Sequence, residues 1–209
     1  DGPEEALALT QNTQPAVLAV SVAAYRLLES RGIEPVFVAG HSLGEYSAHV
    51  AAGTISFADA LRTVRRRGQY MQEAVPVGSG AMAAVLGLDE SAVRTACEEV
   101  ADGEVVSPAN LNAPGQIVIA GSASAVQRAS ERAKELGARR VLRLPVSAPF
   151  HCSLMKPAQK RLEPDLGRLI VSDPKVPVIA NVDAEAKTDA RSSLDALIEQ
   201  VSAPVRWEA

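Results

Sequence analysis

Apolar positions along this chain recur with a helical period in some stretches and in short unbroken runs in others. From Pro15 to Glu29, the residues Val17, Leu18, Val20, Val22, Ala23, Leu27 and Leu28 are apolar on nearly every face, which predicts a buried helix. Pro15 suits the first turn, where its missing N–H costs no bond, and Gly32 supplies the stop. Val36 to Ala39 is a short apolar run and reads as a strand, followed by a helix over Glu45–Ala52. Ser56-Phe57-Ala58-Asp59 opens a second long helix with a start like a capping box. That helix runs to about Glu73, with Phe57, Ala60, Leu61, Val64, Gly68 and Met71 on its apolar face.

The pattern then changes. Ala81–Leu86 reads as a strand and Glu90–Ala101 as a helix. A strand follows near Val105-Val106, another at Gln116–Ala120, a helix at Ala123–Leu136 and a strand at Arg139–Leu144. The order β-α-β-β-α-β is the ferredoxin-like split pattern, and it reads as a small domain inserted into a larger α/β domain. Residues 79–146 form the insert, and 1–78 with 147–209 form the discontinuous, parallel-sheet core. In the second half of that core Leu154–Leu166 is a helix, Val176–Ala180 a strand and Ser193–Gln200 a short helix.

Composition narrows the function classes. Of 209 residues, 47% are hydrophobic and 22% charged, as in a soluble globular chain with a sizeable core. A net charge of −4 argues against a nucleic-acid partner. No apolar run is long enough to span a bilayer, so no membrane role is expected. Cys97 and Cys152 make neither a disulfide framework nor a metal site, and a reducing, cytoplasmic setting is the default.

The chemistry concentrates at Gly40-His41-Ser42-Leu43-Gly44. A G-x-S-x-G turn between a strand and a helix is a nucleophile elbow, with both glycines expected to relieve crowded backbone around Ser42. The alternative is an ordinary glycine-rich turn. A serine nucleophile needs a general base, and there are three histidines. His41 adjoins Ser42 and points away from it, and His49 lies two helical turns on, about 10 Å of rise. His151, in the loop Ser147-Ala148-Pro149-Phe150-His151-Cys152, is left by elimination, against the alternative of a surface histidine. No acidic partner for it stands out, and a backbone carbonyl serves equally well to fix its tautomer. Cys152 lacks an elbow and reads as a bystander thiol. In Arg65-Arg66-Arg67, Arg66 points to solvent while Arg65 and Arg67 flank the apolar face, Arg67 marginally the more buried. A guanidinium there suits capture of a carboxylate, or it is a snorkelling surface arginine.

Gly40-His-Ser-Leu-Gly-Glu-Tyr-Ser, Arg67-Gly-Gln-Tyr-Met-Gln-Glu-Ala, Asn112-Ala-Pro-Gly-Gln and Phe150-His151, with Thr13-Gln14-Pro15-Ala16 ahead of them, together resemble the malonyl-CoA:acyl carrier protein transacylases. The acyltransferase domains of polyketide synthases are similar. The resemblance covers essentially the whole chain. It implies an α/β-hydrolase-like core with a ferredoxin-like insert. It implies that Ser42 is malonylated, that His151 is the base, and that Arg67 pairs with the malonyl carboxylate. Leu43 is implied to give an oxyanion N–H, and the Gln200 carbonyl to orient the histidine. Asn112, Phe150 and His41 are implied to lie around the substrate.

The implied reaction is a ping-pong transfer from malonyl-CoA to the phosphopantetheine thiol of an acyl carrier protein, in fatty acid or polyketide synthesis, with no metal or redox cofactor. Arg65, Arg66, Lys156, Lys160 and Arg161 are candidates for a basic surface that receives an acidic carrier protein, or they are a solvated charge run. The family's opening strand and its Gly-Gln-Gly-x-Gln loop are not in this chain, nor are its closing helices, so a trimmed core short of one oxyanion donor is the expectation. A serine hydrolase such as a thioesterase shares the elbow but has no use for a buried cation. Against a non-catalytic carrier-protein docking fragment stand an intact Ser42 and His151, and for it stands the missing oxyanion loop.

Overall fold

The computed structural model describes residues 2–209, which fall into two compact units. The first runs through Tyr70 and resumes over Lys160–Glu199. Its elements are α1 (Glu4–Ala8), α2 (Thr10–Glu29), β1 (Val38–Ala39), α3 (Leu43–Ala51) and most of α4 (Phe57–Glu73). The end of α7 (Lys156–Leu166), β6 (Val178–Ile179), β7 (Ala186–Lys187) and α8 (Ala190–Glu199) complete it. Its sheet has the order β1-β6-β7. The sheet is parallel only between β1 and β6, where Val38 pairs with Val178 and Ala39 with Ile179; β7 returns antiparallel. The expected parallel core sheet is thus a mixed one. Ala48 and Ala52 of α3 pack with Val178 beneath it.

Several local expectations sharpen. The capping box of α4 forms as drawn, with Asp59 N–H donating to Ser56 Oγ at 3.1 Å and Ser56 Oγ–H to Asp59 Oδ2 at 2.6 Å. Helix α2 starts five residues earlier than Pro15, at Thr10, and it is not buried all round. Gln14, Leu18 and Val22 at i, i+4 and i+8 are covered, whereas Val20 is 71% exposed and Val17, Leu27 and Leu28 are also open. Apolar residues state what a helix can bury; a packing partner decides which stripe is buried. Gly68 lets α4 approach α2 closely, since a Cβ there would lie 2.5 Å from Gln11 Cα. The strand read over 36–39 shortens to two residues because only Val38 and Ala39 pair with β6, and Val36 and Phe37 stay exposed.

The second unit comprises Met71–Gln159 and Gln200–Ala209. Its sheet is built from β2 (Gly80–Leu86), β3 (Val106–Ala113), β4 (Gln116–Ser122), β5 (Arg140–Arg143) and β8 (Val205–Arg206), in the order β5-β2-β4-β3-β8. All pairings are antiparallel except β3 with β8. Two helices, α5 (Glu90–Glu98) and α6 (Ala123–Glu135), bury Val93, Cys97, Val126 and Ala129 against Ala83, Val85, Ile117 and Ile119 of the sheet. Met82, Ala109, Val118 and Ala120 form a second cluster with Cys152.

Strand β3 runs seven residues past Val106, through Pro108 and Asn110, which sequence reading left outside any strand. The register shifts between Pro108 and Asn110, where the proline has no N–H for the ladder. Among the described residues no helix is long and apolar enough to cross a membrane.

Candidate active site

The candidate residues fall into two groups, one in each unit. In the first unit β1 ends at Ala39, the chain turns through Gly40, His41 and Ser42, and α3 starts at Leu43. Ser42 has φ 53° and ψ −103°, a backbone conformation that a side-chain-bearing residue adopts only when its surroundings enforce it. Gly40 is obligatory, because a Cβ there would overlap the Gly44 carbonyl. Gly44 is not: a Cβ there meets nothing within 4 Å. The crowding expected on both sides of Ser42 is therefore one-sided, because Gly44 faces an open groove lined by Ser21, Tyr25, Val38 and Ala48. Leu43 is the first residue of α3, at the end where helix N–H groups face outward, and His41 is exposed.

The Ser42 hydroxyl does not cap its own helix. It accepts a hydrogen bond from Arg67 Nη2 at 3.1 Å. Arg67 is 2% exposed, the largest fully buried side chain, whereas Arg65 and Arg66 are exposed. Arg65 bonds to Gln11 O and to Asn12, and Arg66 to Asp165 at 3.0 Å. Arg67 Nη1 donates to Gln14 Oε1 at 2.8 Å, and the guanidinium lies 5.5 Å from the Tyr46 ring centroid. Burial lowers the pKa of Arg67, and Tyr46 and Glu45 pull it back; an arginine remains a cation under such conditions. Burial pushes the Tyr46 phenol up to about 12 although Arg67 opposes this. His49 is fully buried, with no partner for either ring nitrogen, and burial lowers its pKa to about 4.

Three residues of this group escaped sequence reading. Asn181 accepts the Ser42 N–H at 2.6 Å, donates Nδ2–H to Gly40 O at 2.9 Å, and donates its backbone N–H to Glu45 Oε2 at 3.0 Å. Glu45 and Gln14 entered only as parts of quoted motifs, Glu45 also as the first residue of a helix, and neither was given a role. Asn181 had no local signal, since it lies 139 residues from Ser42.

In the second unit His151 sits after the Pro149-Phe150 turn with φ 58° and is 3% exposed. Its Nδ1 lies 2.9 Å from Gln200 O, and Gln200 is fully buried. A carbonyl only accepts, so this contact assigns a proton to Nδ1, and the neutral ring then carries its lone pair on Nε2. Phe150 packs against the cluster that holds Met82, Val118 and Cys152, and Asn112 is half-buried on β3. Gly80 would collide with the Pro149 ring if it carried a Cβ, so the loop before His151 rests directly on β2. The Cys152 thiol donates to Pro149 O, and burial pushes its pKa up to about 11, which keeps it a thiol. Among the described residues no three His, Cys, Asp or Glu side chains are grouped to hold a metal ion.

The acyl transferase domain family matches residues 1–209. A malonyl CoA-acyl carrier protein transacylase of Escherichia coli strain K12 is 54% identical over 207 residues, 99% of this chain and 67% of that protein. The solved malonyl CoA-acyl carrier protein transacylase of Coxiella burnetii superposes with a TM-score of 0.97 at 51% identity, covering 99% of this chain and 66% of that one. A malonyl-transacylase solved in complex with its type II PKS acyl-carrier protein gives 0.97 at 50% identity, with 99% and 67% covered. The chain spans about two thirds of the length of these relatives. It belongs to the acyl transferase domain family, and within it to the malonyl CoA-acyl carrier protein transacylases.

Proposed function

We propose that this chain carries the acyl-transfer chemistry of that family, moving malonyl from malonyl-CoA to the phosphopantetheine thiol of an acyl carrier protein through a malonyl-serine on Ser42. One observation carries the reading: a fully buried guanidinium, Arg67, donates to the hydroxyl of a serine on a strained elbow. A substrate that fits must bring an electrophilic carbonyl to the serine and an anion to the arginine, and a malonyl thioester has both.

In this proposal His151, its Nδ1–H held by the Gln200 carbonyl, takes the Ser42 proton at Nε2. The Ser42 oxygen attacks the thioester carbonyl, and the Leu43 N–H at the start of α3 stabilises the oxyanion. The carbon–sulfur bond breaks and coenzyme A leaves with the proton from His151. The carrier thiol then repeats the sequence in reverse, giving its proton to His151 and releasing Ser42. Asn112, Phe150 and His41 border the substrate. The exchange is redox-neutral and the serine supplies the nucleophile, so the proposal includes no cofactor. A cytoplasmic setting belongs to it as well, in keeping with two free, buried cysteines.

The element order β2-α5-β3-β4-α6-β5 and its antiparallel sheet support the ferredoxin-like reading of 79–146. The parallel β1–β6 pair with the elbow after β1 supports an α/β-hydrolase-like core over 1–78 and 147–209. The test is intact-mass analysis after incubation with malonyl-CoA. A malonyl adduct that disappears in Ser42→Ala and persists in Cys152→Ala is expected; an adduct surviving in Ser42→Ala overturns the assignment.

A further inference from the structure

Ser42-Leu43-Gly44-Glu45 has the Ser-x-x-Glu spacing of a helix capping box, yet the box does not form. In such a box the serine oxygen accepts from an N–H of the first turn, and the glutamate reaches back to the N–H of the serine. Here the Ser42 N–H is taken by Asn181 Oδ1 at 2.6 Å, and Glu45 Oε2 accepts from Asn181 N at 3.0 Å. The Ser42 oxygen makes no cap and meets Arg67 Nη2 at 3.1 Å instead. Asn181 Nδ2 also ties down Gly40 O at 2.9 Å, on the other side of the elbow. One side chain therefore bridges the turn from Gly40 to Ser42 while its backbone engages Glu45. Asn181 and Glu45 are 3% and 0% exposed, so these bonds are shielded from water.

The sheet explains how a residue so distant in sequence arrives there. The parallel pairing Val38↔Val178 and Ala39↔Ile179, carried two residues on, brings Asn181 level with His41 in the elbow. The Ser42 conformation, φ 53° and ψ −103°, is costly for a non-glycine residue and persists only where bonds over-determine it.

We propose that Asn181 is a positioning residue for the Ser42 nucleophile: by engaging the Ser42 N–H and the Glu45 carboxylate, which a capping box would pair with each other, it holds the elbow in its strained form with the hydroxyl turned to Arg67 rather than to its own helix. This rests on the reading of Ser42 as the nucleophile. Asn181 touches no reacting atom, so its loss acts on the readiness of the serine more than on substrate affinity.

The experiment compares wild type, Asn181→Ala and Asn181→Asp by three readouts: the rate of Ser42 labelling by a fluorophosphonate, malonyl-CoA single-turnover kinetics, and hydrogen exchange at the Ser42 amide. Rates are corrected for the folded fraction from thermal melts. In Asn181→Ala labelling and acylation fall about 10- to 100-fold, because misorientation of order 1 Å suffices for that loss. The half-saturating malonyl-CoA concentration changes by less than about two-fold, and exchange at the Ser42 amide accelerates. Asn181→Asp retains the acceptor for the Ser42 N–H and recovers part of the rate. Its ratio to wild type rises as pH falls, because a protonated carboxyl also donates to Gly40 O.

Unchanged labelling and unchanged Ser42 exchange in Asn181→Ala would overturn the proposal, as would a loss matched by the unfolded fraction. If wild type takes the fluorophosphonate but no malonyl, the transacylase reading fails and the labelling rates still decide the role of Asn181. If it takes neither, the exchange at Ser42 decides: no acceleration in Asn181→Ala overturns the proposal.

Discussion

Arg67 is a full positive charge removed from water, and that fact organises the chemistry at the scale of single residues. Its donors are already directed: one at Gln14, one at the Ser42 hydroxyl. A malonyl carboxylate entering without a cation would bear an uncompensated burial, and breaking one side of a buried pair costs about 3–5 kcal/mol. Arg67→Ala is therefore expected to lower kcat/KM for malonyl-CoA by about 100-fold or more, while use of acetyl-CoA holds or rises. Arg66→Ala, on the solvent side and paired with Asp165, is expected to do neither. A competition between the two acyl-CoAs reads this out, and equal losses for both would make Arg67 merely structural.

His49 gives a second prediction. Its pKa falls from 6.5 to about 4 through burial, so the folded state holds it neutral while the unfolded chain takes up a proton first. Stability is then whole above pH 6.5, declines as pH drops toward about 4, and levels off below; 2.5 units correspond to roughly 3 kcal/mol. His49→Leu should flatten the denaturant-derived stability between those limits. A curve parallel to wild type would show that His49 does not titrate there. Helical spacing left Arg65 and Arg67 nearly equivalent, because the neighbour that separates them, Gln14, lies 53 residues away. Asn181 was illegible for the same reason: its role exists only once β6 has paired with β1.

At the scale of elements, the elbow was legible because its constraint is local: a tight turn written in consecutive residues. Yet the two glycines of the motif do different jobs. Gly40 is pressed against the Gly44 carbonyl, and Gly40→Ala must displace backbone, at a cost of about 3 kcal/mol or more, or fail to fold. Gly44 faces open space inside the first turn of α3, where alanine is preferred over glycine by up to about 1 kcal/mol. Gly44→Ala should therefore match or exceed wild type in thermal melting, and a large loss there would mean that the groove beside it is closed in solution. Helix α1 was not read, and α2 starts five residues before Pro15; the other helices were found to within a few residues, because capping residues and apolar stripes are local signals, as Ser56 and Asp59 illustrate. The strands were harder. Residues 106–113 include a proline and two asparagines and become a strand through β4 and β8 rather than by propensity. The two-residue strands β7 and β8 carry too little pattern to be seen at all.

At the scale of the whole molecule, the chain has a net charge of −4, whereas the carrier protein of the proposed reaction is expected to be acidic and so to need a basic surface. The first unit offers a local exception. Arg66 and Arg168 both pair with one carboxylate, Asp165, which accepts from Arg66 at 3.0 Å, from Arg168 at 3.3 Å and from the Tyr70 hydroxyl at 2.8 Å. Arg161 stacks over the Tyr70 ring at 4.1 Å, and Lys160 beside it is exposed. Arg66 and Arg168 share one carboxylate between them and Lys160 is exposed beside them, so a local excess of positive charge stands within an acidic whole. Rim charges of this kind act on encounter and on salt dependence more than on chemistry. Lys160→Glu with Arg161→Glu is expected to raise the carrier-protein KM about ten-fold at low salt, with the malonyl-CoA half-reaction unchanged. The difference should fade by 1 M salt, where the screening length shrinks to about 3 Å. Because Arg161 also packs on Tyr70, Lys160→Glu alone serves as the variant that leaves packing intact, and it should move the carrier KM in the same direction. A carrier KM that stays put at low salt in both variants would show that the cluster is only a solvated face, and that the carrier is received elsewhere.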